Sequence, residues 1–263
     1  MSQVIIIGGG AAGMMAAIAA AGAGHKVCIY EKNEKLGKKI YITGKGRCNV
    51  TNACDTEELF QNVVHNAKFL YSSFYAFTNT DIMDLIEKHG CPLKTERGNR
   101  VFPVSDKSSD VIHALTAALR KLGVEVELHE EVADVLAEDG HVTGVRLKRG
   151  QKVVFADAVI VTTGGLSYPS TGSTGDGYRF AKELGHTITD LSPALVPFVA
   201  KEDVCKELQG LSLRNISVQI RNGKKVLYEE FGEMLFTHFG VSGPVLLSAS
   251  SYVASVLKKG PLT

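Results

Sequence analysis

The first 31 residues of the chain alternate between apolar and small-residue segments in a regular order. An apolar run of strand length covers residues 3–7, and a second run covers residues 26–30 and ends at Glu31. Between them, the glycine-rich segment 8–13 leads into the Ala-rich segment 14–23, which favours a helix. This order predicts a strand–turn–helix–strand unit of the kind that builds parallel α/β sheets.

The next part of the chain yields a second set of predicted elements. Helical patterns are expected at residues 56–90, 109–122 and 176–184. Strand patterns are expected at residues 124–128, 132–136, 142–147, 152–155 and 158–162. Turn-forming residues join the three middle strands, which therefore predict a small antiparallel meander in place of a crossover helix. The last strand is apolar, so we expect it to be buried.

The residue pattern of the sequence changes at Leu191. Pro193, Pro197 and a set of β-prone segments follow that residue. We therefore predict one domain at residues 1–190 and the beginning of a second, mainly β domain at residues 191–263.

The glycine-rich turn fits the spacing G-x-G-x-x-G, in which each glycine has a mechanical role. Gly8 permits a tight turn, Gly10 lets a pyrophosphate approach the backbone, and Gly13 lets the helix pack closely on the strand. The helix N-terminus adds unpaired N–H groups and a positive dipole end. Glu31 lies 18 residues after Gly13, where its carboxylate can accept hydrogen bonds from a ribose 2′-OH and would repel a 2′-phosphate. The unit therefore predicts a dinucleotide site.

Composition narrows the class of partner. Lys+Arg of 29 against Asp+Glu of 28 gives no electrostatic reason to expect nucleic acid or an anionic membrane. No apolar run approaches the ~18 residues of a membrane span, and the five cysteines are scattered without a C-x-x-C pair. We expect a reduced, cytoplasmic protein with a small-molecule substrate and no metal site.

Three later features favour a flavin over a nicotinamide. The loop at residues 36–52 combines glycines, basic residues and hydroxyl groups that can face a flat ring or a phosphate. The meander crossover is the second feature, and the strand end Thr163-Gly164-Gly165 is the third, because glycine there lets the chain pass close to a cofactor. A flavin exchanges hydride at its N5 atom, so neither a nucleophile nor a metal is required. The chain has a single dinucleotide fingerprint, so either NAD(P)H docks transiently at the flavin face as electron donor, or the electrons go instead to oxygen or another acceptor.

Four polar residues are candidates for catalysis. Lys45 or Arg47 can stabilise negative charge at the flavin N1–C2 edge or bind an anionic substrate. Tyr168 is a candidate proton donor, and His238 has a side chain suited to proton transfer. The sequence alone does not choose among them.

Two other functions are compatible with parts of the sequence. Tyr178 and Lys182 satisfy the Tyr-x-x-x-Lys pattern of short-chain NAD-dependent dehydrogenases, but residues 8–15 lack the glycine spacing of that class. A flavin- or nucleotide-binding protein without catalytic turnover is the second alternative, because binding motifs do not report turnover.

Several motifs together resemble the HI0933-like flavoprotein family of NAD(P)/FAD-dependent oxidoreductases, within the glutathione-reductase-like two-dinucleotide class. The matching segments are GGGAAG at 8–13, TGKGRCN at 43–49, RVFPVS at 100–105, residues 164–177, PALVP at 193–197 and residues 235–244. The resemblance implies an α/β fold: a Rossmann-like FAD/NAD(P)-binding domain with a β-meander crossover and an inserted, mainly β second domain that is incomplete here. It also implies a C-terminally truncated chain, which we expect to bind FAD much more weakly than its parent or not at all.

The expected activity is that of an FAD-dependent oxidoreductase, which transfers a hydride between the flavin N5 and a small organic substrate or NAD(P)H. Val132 resembles a position that contacts adenine through its backbone. The residues expected to bind FAD are Gly8, Gly10, Ala11, Ala12, Gly13, Glu31, Lys32, Lys39, Thr43, Gly44, Gly46, Arg47, Cys48, Asn49, Val132, Thr163, Gly164 and Gly165.

Overall fold

The apolar run at the start of the chain forms an inner strand of a parallel sheet in the computed structural model, which describes residues 1–262. The chain divides into two units, residues 1–188 and residues 189 onward. The strands of the first unit are β1 (Gln3–Ile7), β2 (Lys26–Glu31), β3 (Thr51–Asn52), β4 (Leu93–Glu96), β5 (Arg100–Pro103), β6 (Glu125–Leu128), β7 (Val132–Glu138), β8 (His141–Leu147), β9 (Val153–Phe155) and β10 (Ala158–Val161). Its helices are α1 (Ala11–Gly22), α2 (Thr56–Gln61), α3 (Tyr71–Ala76), α4 (Asn79–Lys88), α5 (Ser108–Lys121) and α6 (Asp176–Glu183).

The parallel sheet has the strand order β10-β1-β2-β6 and is covered on both faces. Alternate residues of β1 point to opposite faces, as the two-residue period of a strand requires. Val4 and Ile6 pack with α1 and α5 on one face, whereas Ile5 and Ile7 pack with the meander and Phe180 on the other. Ile5 and Ile6 are fully buried, and each contributes roughly 1.5–3 kcal/mol. The apolar pattern of the first 31 residues thus produces a three-layer core.

The predicted meander is confirmed. Strands β7, β8 and β9 form an antiparallel sheet of that order, joined by tight turns. The predicted strand at residues 158–162 forms as β10, but the expectation that it is buried is wrong. Among the described residues β10 has a neighbour on one side only, and Val161 is 41% exposed.

The segment between β2 and α5 carries short helices and a small antiparallel sheet. That sheet has the order β3-β5-β4. Helix α4 begins with a reciprocal cap, in which Thr78 Oγ1 accepts from Asp81 N–H at 3.1 Å and Asp81 Oδ2 accepts from Thr78 N–H at 2.7 Å. This cap explains why the helical pattern ending near Gly90 starts at Asn79.

The second unit is built on an antiparallel sheet. Its elements are β11 (Phe198–Val199), α7 (Val204–Glu207), β12 (Ser212–Asn222), β13 (Lys225–Thr237), β14 (Gly240–Ser242) and α8 (Pro244–Leu257). The strand order is β11-β14-β13-β12, and the apolar side of α8 packs against this sheet. Nowhere in residues 1–262 does a helix combine the length and the apolar character needed to cross a lipid bilayer.

Candidate dinucleotide-binding cleft

A cleft of about 360 Å³ opens in the first unit where the parallel strands end. Ile7, Glu31 and Val161 stand at or next to the carboxyl ends of β1, β2 and β10, and all three line it. In open α/β sheets this edge is where ligands bind. The fold therefore places the glycine-rich turn, Glu31 and the end of β10 around one space.

The glycine-rich turn leaves the N-terminus of α1 open to that space. A Cβ at Gly13 would overlap the carbonyl oxygen of Gly8, so the close approach of helix and strand requires glycine. A Cβ at Gly10 would meet nothing within 4 Å and would instead project into unfilled space. Helix α1 has no side-chain cap and no acidic residue in its first turn. Its first N–H groups are therefore available to an anion.

Glu31 is held rigidly at the end of β2. Its side chain is buried, with only 7% of the residue exposed. Oε2 accepts from Gly9 N–H at 2.6 Å, and Oε1 accepts from the backbone N–H of Asn33 at 2.8 Å and from its Nδ2 at 2.7 Å. The carboxylate is thus oriented before any ligand binds.

A second wall of the cleft comes from residues 171–176. Lys32 Nζ donates to Asp176 Oδ2 at 2.7 Å and to Thr174 Oγ1 at 2.7 Å, which ties this wall to the end of β2. Burial alone would raise the pKa of Asp176, but the hydrogen bonds from Lys32 and Thr174 hold that pKa below its usual value.

Lys39 differs from the other lysines that line the cleft. Lys32 is paired with Asp176 and Lys38 with Glu34, whereas Lys39 has no carboxylate partner in the described part of the chain. Its Nζ donates to the carbonyl oxygen of Ser167 at 2.8 Å, and burial lowers its pKa. Lys39 is therefore a cation that lacks a counter-charge.

Thr163, which lines the cleft, carries a hydroxyl group without a hydrogen-bond partner within residues 1–262. Its Oγ1 is shielded from solvent and has no hydrogen-bond partner among the described residues. Buried polar atoms are normally paired. The Thr163 hydroxyl lies against Gly177 of α6 and is closed off from the cleft, so the open α1 N-terminus and Lys39 are the groups that fit an anionic ligand such as a dinucleotide.

Eleven of the residues expected to bind the cofactor line the cleft. They are Gly8, Gly10, Ala11, Ala12, Glu31, Lys32, Lys39, Thr43, Val132, Thr163 and Gly164. Val132, expected at the adenine, thus lies on the same cleft as the glycine turn. Contact of these residues with a cofactor remains a prediction.

The structure does not bring Arg47 into the lining. The guanidinium stacks on the ring of Phe102, 4.2 Å from its centroid. It also pairs with the carboxylates of Glu96 and Asp106, and Nε donates to Asp106 Oδ1 at 2.8 Å. The charge of Arg47 is therefore engaged by the protein itself, next to Lys94, which also pairs with Asp106.

Residues 44–46, 48 and 49 of the same loop also lie outside the lining. Lys45 is exposed and Gly44, Lys45 and Gly46 all have left-handed backbone. Cys48 is buried, which raises the pKa of its thiol. The Asn49 amide lies beside the carbonyl oxygens of Thr51 and Val101.

The remaining predicted residues occupy three different places. Gly13 packs on Gly8 inside the turn, and a Cβ at Gly165 would lie 3.1 Å from Tyr178 Oη. Tyr168 is 66% exposed between the cleft-lining residues 164 and 171. His238 lies in the second unit, in the two-residue turn between β13 and β14, with its ring edge-on to Phe239 at 4.9 Å.

Sequence reasoning missed part of the lining. The missed residues include Asn33, Lys38, Glu130, Thr171, Gly172, Ser173 and Asp176. The last four fall within residues 164–177, which were singled out as a motif without individual roles. Asn33 follows Glu31 by two residues, and only its contacts in the fold reveal its part in the site.

Comparisons with known proteins show the family of this chain. The family model for the HI0933-like protein Rossmann domain matches residues 2–251. The chain is 33% identical over 250 residues to a ribosomal RNA dihydrouridine synthase of Escherichia coli (strain K12), covering 95% of this chain and 60% of that protein. It is 34% identical over 263 residues to a 3-dehydro-bile acid delta(4,6)-reductase of Clostridium scindens, covering 99% of this chain and 62% of that protein. The chain thus spans about three fifths of the length of these curated relatives.

A solved structure supports the fold in particular. The open conformation of a flavocytochrome c3 fumarate reductase matches with a TM-score of 0.59 at 22% identity, over 81% of this chain and 47% of that one. The expected α/β fold, with its Rossmann-like domain and an additional β-containing unit, is confirmed.

Proposed function

The chain belongs to the HI0933-like Rossmann-domain family, and from this premise we propose that it binds FAD in the cleft and acts as part of an oxidoreductase. The observation that carries the proposal is the coincidence of three features in one cleft. Unfilled space lies over Gly10, the N-terminus of α1 is uncapped, and the Glu31 carboxylate is fixed in place. These features suit a pyrophosphate next to a ribose.

FAD would lie along the cleft with its parts assigned to different residues. The pyrophosphate would face Gly10 and the first N–H groups of α1, and Lys39 would supply the counter-charge. The adenosine ribose would donate to Glu31, and the adenine would lie beside Val132.

The reaction class is proposed from the relatives. One is named for making dihydrouridine and the other for reducing a bile acid with delta(4,6) double bonds. Both names describe saturation of a carbon–carbon double bond in a ring that also carries a conjugated carbonyl group. We therefore assign to this protein the reduction of a double bond conjugated to a carbonyl, in a small organic substrate, with NAD(P)H as the electron donor.

Bound FAD supplies hydride transfer at its N5 atom, and the protein must manage charge and protons. As hydride adds to the carbon remote from the carbonyl, negative charge develops on the carbonyl oxygen, and a proton must reach the other carbon. Lys45 is proposed to stabilise that oxygen, and Tyr168 is the candidate proton donor of the first unit. His238, in the second unit, stays a prediction from the sequence.

Anaerobic flavin spectroscopy tests the proposal. The purified protein is loaded with FAD, reduced with NADPH or NADH, and mixed without oxygen with cyclohex-2-enone, fumarate, 4-androstene-3,17-dione or uridine. At least one of these conjugated compounds should restore the oxidised flavin spectrum. Cyclohexanone, which lacks the double bond, should not.

Other outcomes of this experiment would indicate other functions. Reoxidation by oxygen alone would indicate an oxidase. Turnover of a uridine-containing RNA without turnover of any small compound would contradict the small-molecule assignment. A flavin that neither nicotinamide reduces and no panel compound reoxidises would favour a binding protein without turnover.

A further inference from the structure

The hydrogen bonds around Glu31 leave it little capacity to bind a ligand. Each carboxylate oxygen has about two lone-pair positions. Oε1 already accepts two N–H groups, both from Asn33, at 2.8 and 2.7 Å. Oε2 accepts one, from Gly9 at 2.6 Å. A single acceptor position, on Oε2, therefore remains for a ligand.

Asn33 is itself locked in this arrangement. Its Nδ2 has two hydrogens, and these serve Glu31 Oε1 and the carbonyl oxygen of Thr171 at 3.2 Å. Its Oδ1 accepts from Lys38 Nζ at 3.3 Å. Since all its polar atoms are satisfied, Asn33 has no other partner to which it could turn and release Glu31.

The opposite wall leaves space for the Asn33 amide at Gly172. Gly172 has a φ of +99°, and a Cβ there would lie 2.6 Å from Asn33 Nδ2. A side chain at position 172 would thus push the amide off the carboxylate. Glycine at position 172 thus leaves room for the amide, and the hydrogen bond to the Thr171 carbonyl oxygen holds it there.

We propose that Asn33 is a positioning residue that leaves Glu31 with one free acceptor position. Glu31 Oε2 would then accept a hydrogen bond from a single hydroxyl group of the adenosine ribose. A carboxylate free of Asn33 would accept the two neighbouring ribose hydroxyls, one on each oxygen. The inference rests on the proposed binding of FAD and adds the way in which its ribose is recognised.

Two FAD analogues test it, one lacking the 2′-hydroxyl and the other the 3′-hydroxyl of the adenosine ribose. Dissociation constants are measured for FAD and both analogues on the wild type and on Glu31→Ala. In the wild type one analogue should bind about 10- to 100-fold more weakly than FAD, because a hydrogen bond to a charged group is lost. In Glu31→Ala this analogue should bind as tightly as FAD does. For the other analogue, the ratio of its dissociation constant to that of FAD should be the same in the wild type and in Glu31→Ala. If both analogues show losses that depend on Glu31, or if neither does, the proposal is overturned.

Asn33→Ala tests the positioning role directly. Removing the amide frees a position on Oε1, so both analogues should now show a loss that depends on Glu31. Failure of Asn33→Ala to bind FAD, with an unchanged melting temperature of the apoprotein, would overturn the proposal, because Asn33 would then be needed for binding itself and not to limit Glu31. Asn62→Ala is the matched control, since the Asn62 amide donates to the Glu58 carbonyl in α2 and does not line the cleft. An Asn33→Ala variant that keeps the wild-type affinity and the wild-type asymmetry would overturn the proposal.

The failure of this inference is distinct from that of the proposed function. If FAD itself does not bind the wild type, the assignment of the cleft fails and the inference falls with it. If FAD binds and the two analogues lose affinity to the same extent, the cofactor assignment stands. Only the inference that Glu31 has a single free acceptor position is then wrong.

Discussion

Replacing Gly10 by alanine should separate the ligand site from the fold. A Cβ at this position meets no protein atom within 4 Å, and the φ of −76° suits any L-residue. The substitution reduces the entropy of the unfolded chain, which stabilises the protein by about 0.4–1 kcal/mol. Gly10 is also the N-cap of α1, where alanine is disfavoured relative to glycine by roughly 0.5–1 kcal/mol. These terms nearly cancel, so the melting temperature of the apoprotein should stay within about 2 °C of wild type.

The loss of FAD binding should be much larger than this. The new methyl group occupies the space over the α1 N-terminus where the pyrophosphate is proposed to lie. Displacing the phosphate from one N–H group costs about 1.5–3 kcal/mol, which weakens binding about 10- to 100-fold. Equilibrium titration of both proteins with FAD measures this ratio, and thermal melts of the two apoproteins measure the effect on the fold.

Gly13→Ala is the matched control, because the same methyl group there acts on the fold. Its Cβ would overlap the Gly8 carbonyl oxygen and lie 2.8 Å from Thr162 Oγ1. Overpacking of this kind costs roughly 1–3 kcal/mol, so the Gly13→Ala apoprotein should melt several degrees lower. If Gly10→Ala retains wild-type affinity for FAD, or melts as low as Gly13→Ala, the assignment of the space over Gly10 to the pyrophosphate is refuted.

Three further predictions follow from single groups around the cleft. Lys39→Met should weaken FAD binding and reduce its dependence on salt, because Lys39 is the cleft lysine without a carboxylate partner; unchanged affinity at low salt would contradict this. Lys32 lowers the folded pKa of Asp176, so the stability that this pair contributes is present above the usual carboxyl pKa and is lost as pH falls through the lower folded value. Melting curves of Asp176→Asn across the acid range should therefore lack this part of the wild-type pH dependence. Tyr168 and Gln151 are exposed residues with φ of +53° and +51°, so glycine at either position should relieve a similar backbone strain. Only Tyr168→Gly should slow the reoxidation of reduced flavin by a conjugated carbonyl compound. Equal reoxidation rates in the two variants would remove Tyr168 from the candidate proton donors.

The glycine turn and the sheet were predictable because their signals are local. Residues 3–31 contain, in contiguous sequence, two apolar strands, an Ala-rich helix and the fingerprint glycines Gly8, Gly10 and Gly13, and contacts within this unit join neighbouring elements. The meander was equally predictable, since turn residues separate its strands by only a few positions. Hydrophobic periodicity and turn chemistry are properties of short windows, so a single sequence reveals them.

The wall at residues 171–176 was not predictable in the same way. Asn33 meets Thr171, and Lys32 meets Asp176, across 138 and 144 positions of the sequence. No periodicity relates such distant residues, and only the path of the chain through β10 and the following loop brings them together. The role of Asn33 depends on these contacts and could not be read from its proximity to Glu31.

Arg47 illustrates a different limit. Its place in a glycine-rich basic loop suggested a free cation near a cofactor. In the fold, the end of β4 and the turn after β5 bring Glu96 and Asp106 to its guanidinium. The sequence shows the charge of a side chain but not the partners that neutralise it.

An equilibrium titration of the purified apoprotein with FAD and with FMN tests the central claim most directly. FMN carries the flavin and one phosphate but lacks the adenosine that Glu31 and Val132 are proposed to hold. We predict that FAD binds with one molecule per chain, that FMN binds much more weakly, and that Glu31→Ala reduces the difference between the two. If the wild type binds FMN as tightly as FAD, or binds neither, the cleft at the ends of β1 and β2 is not an FAD site.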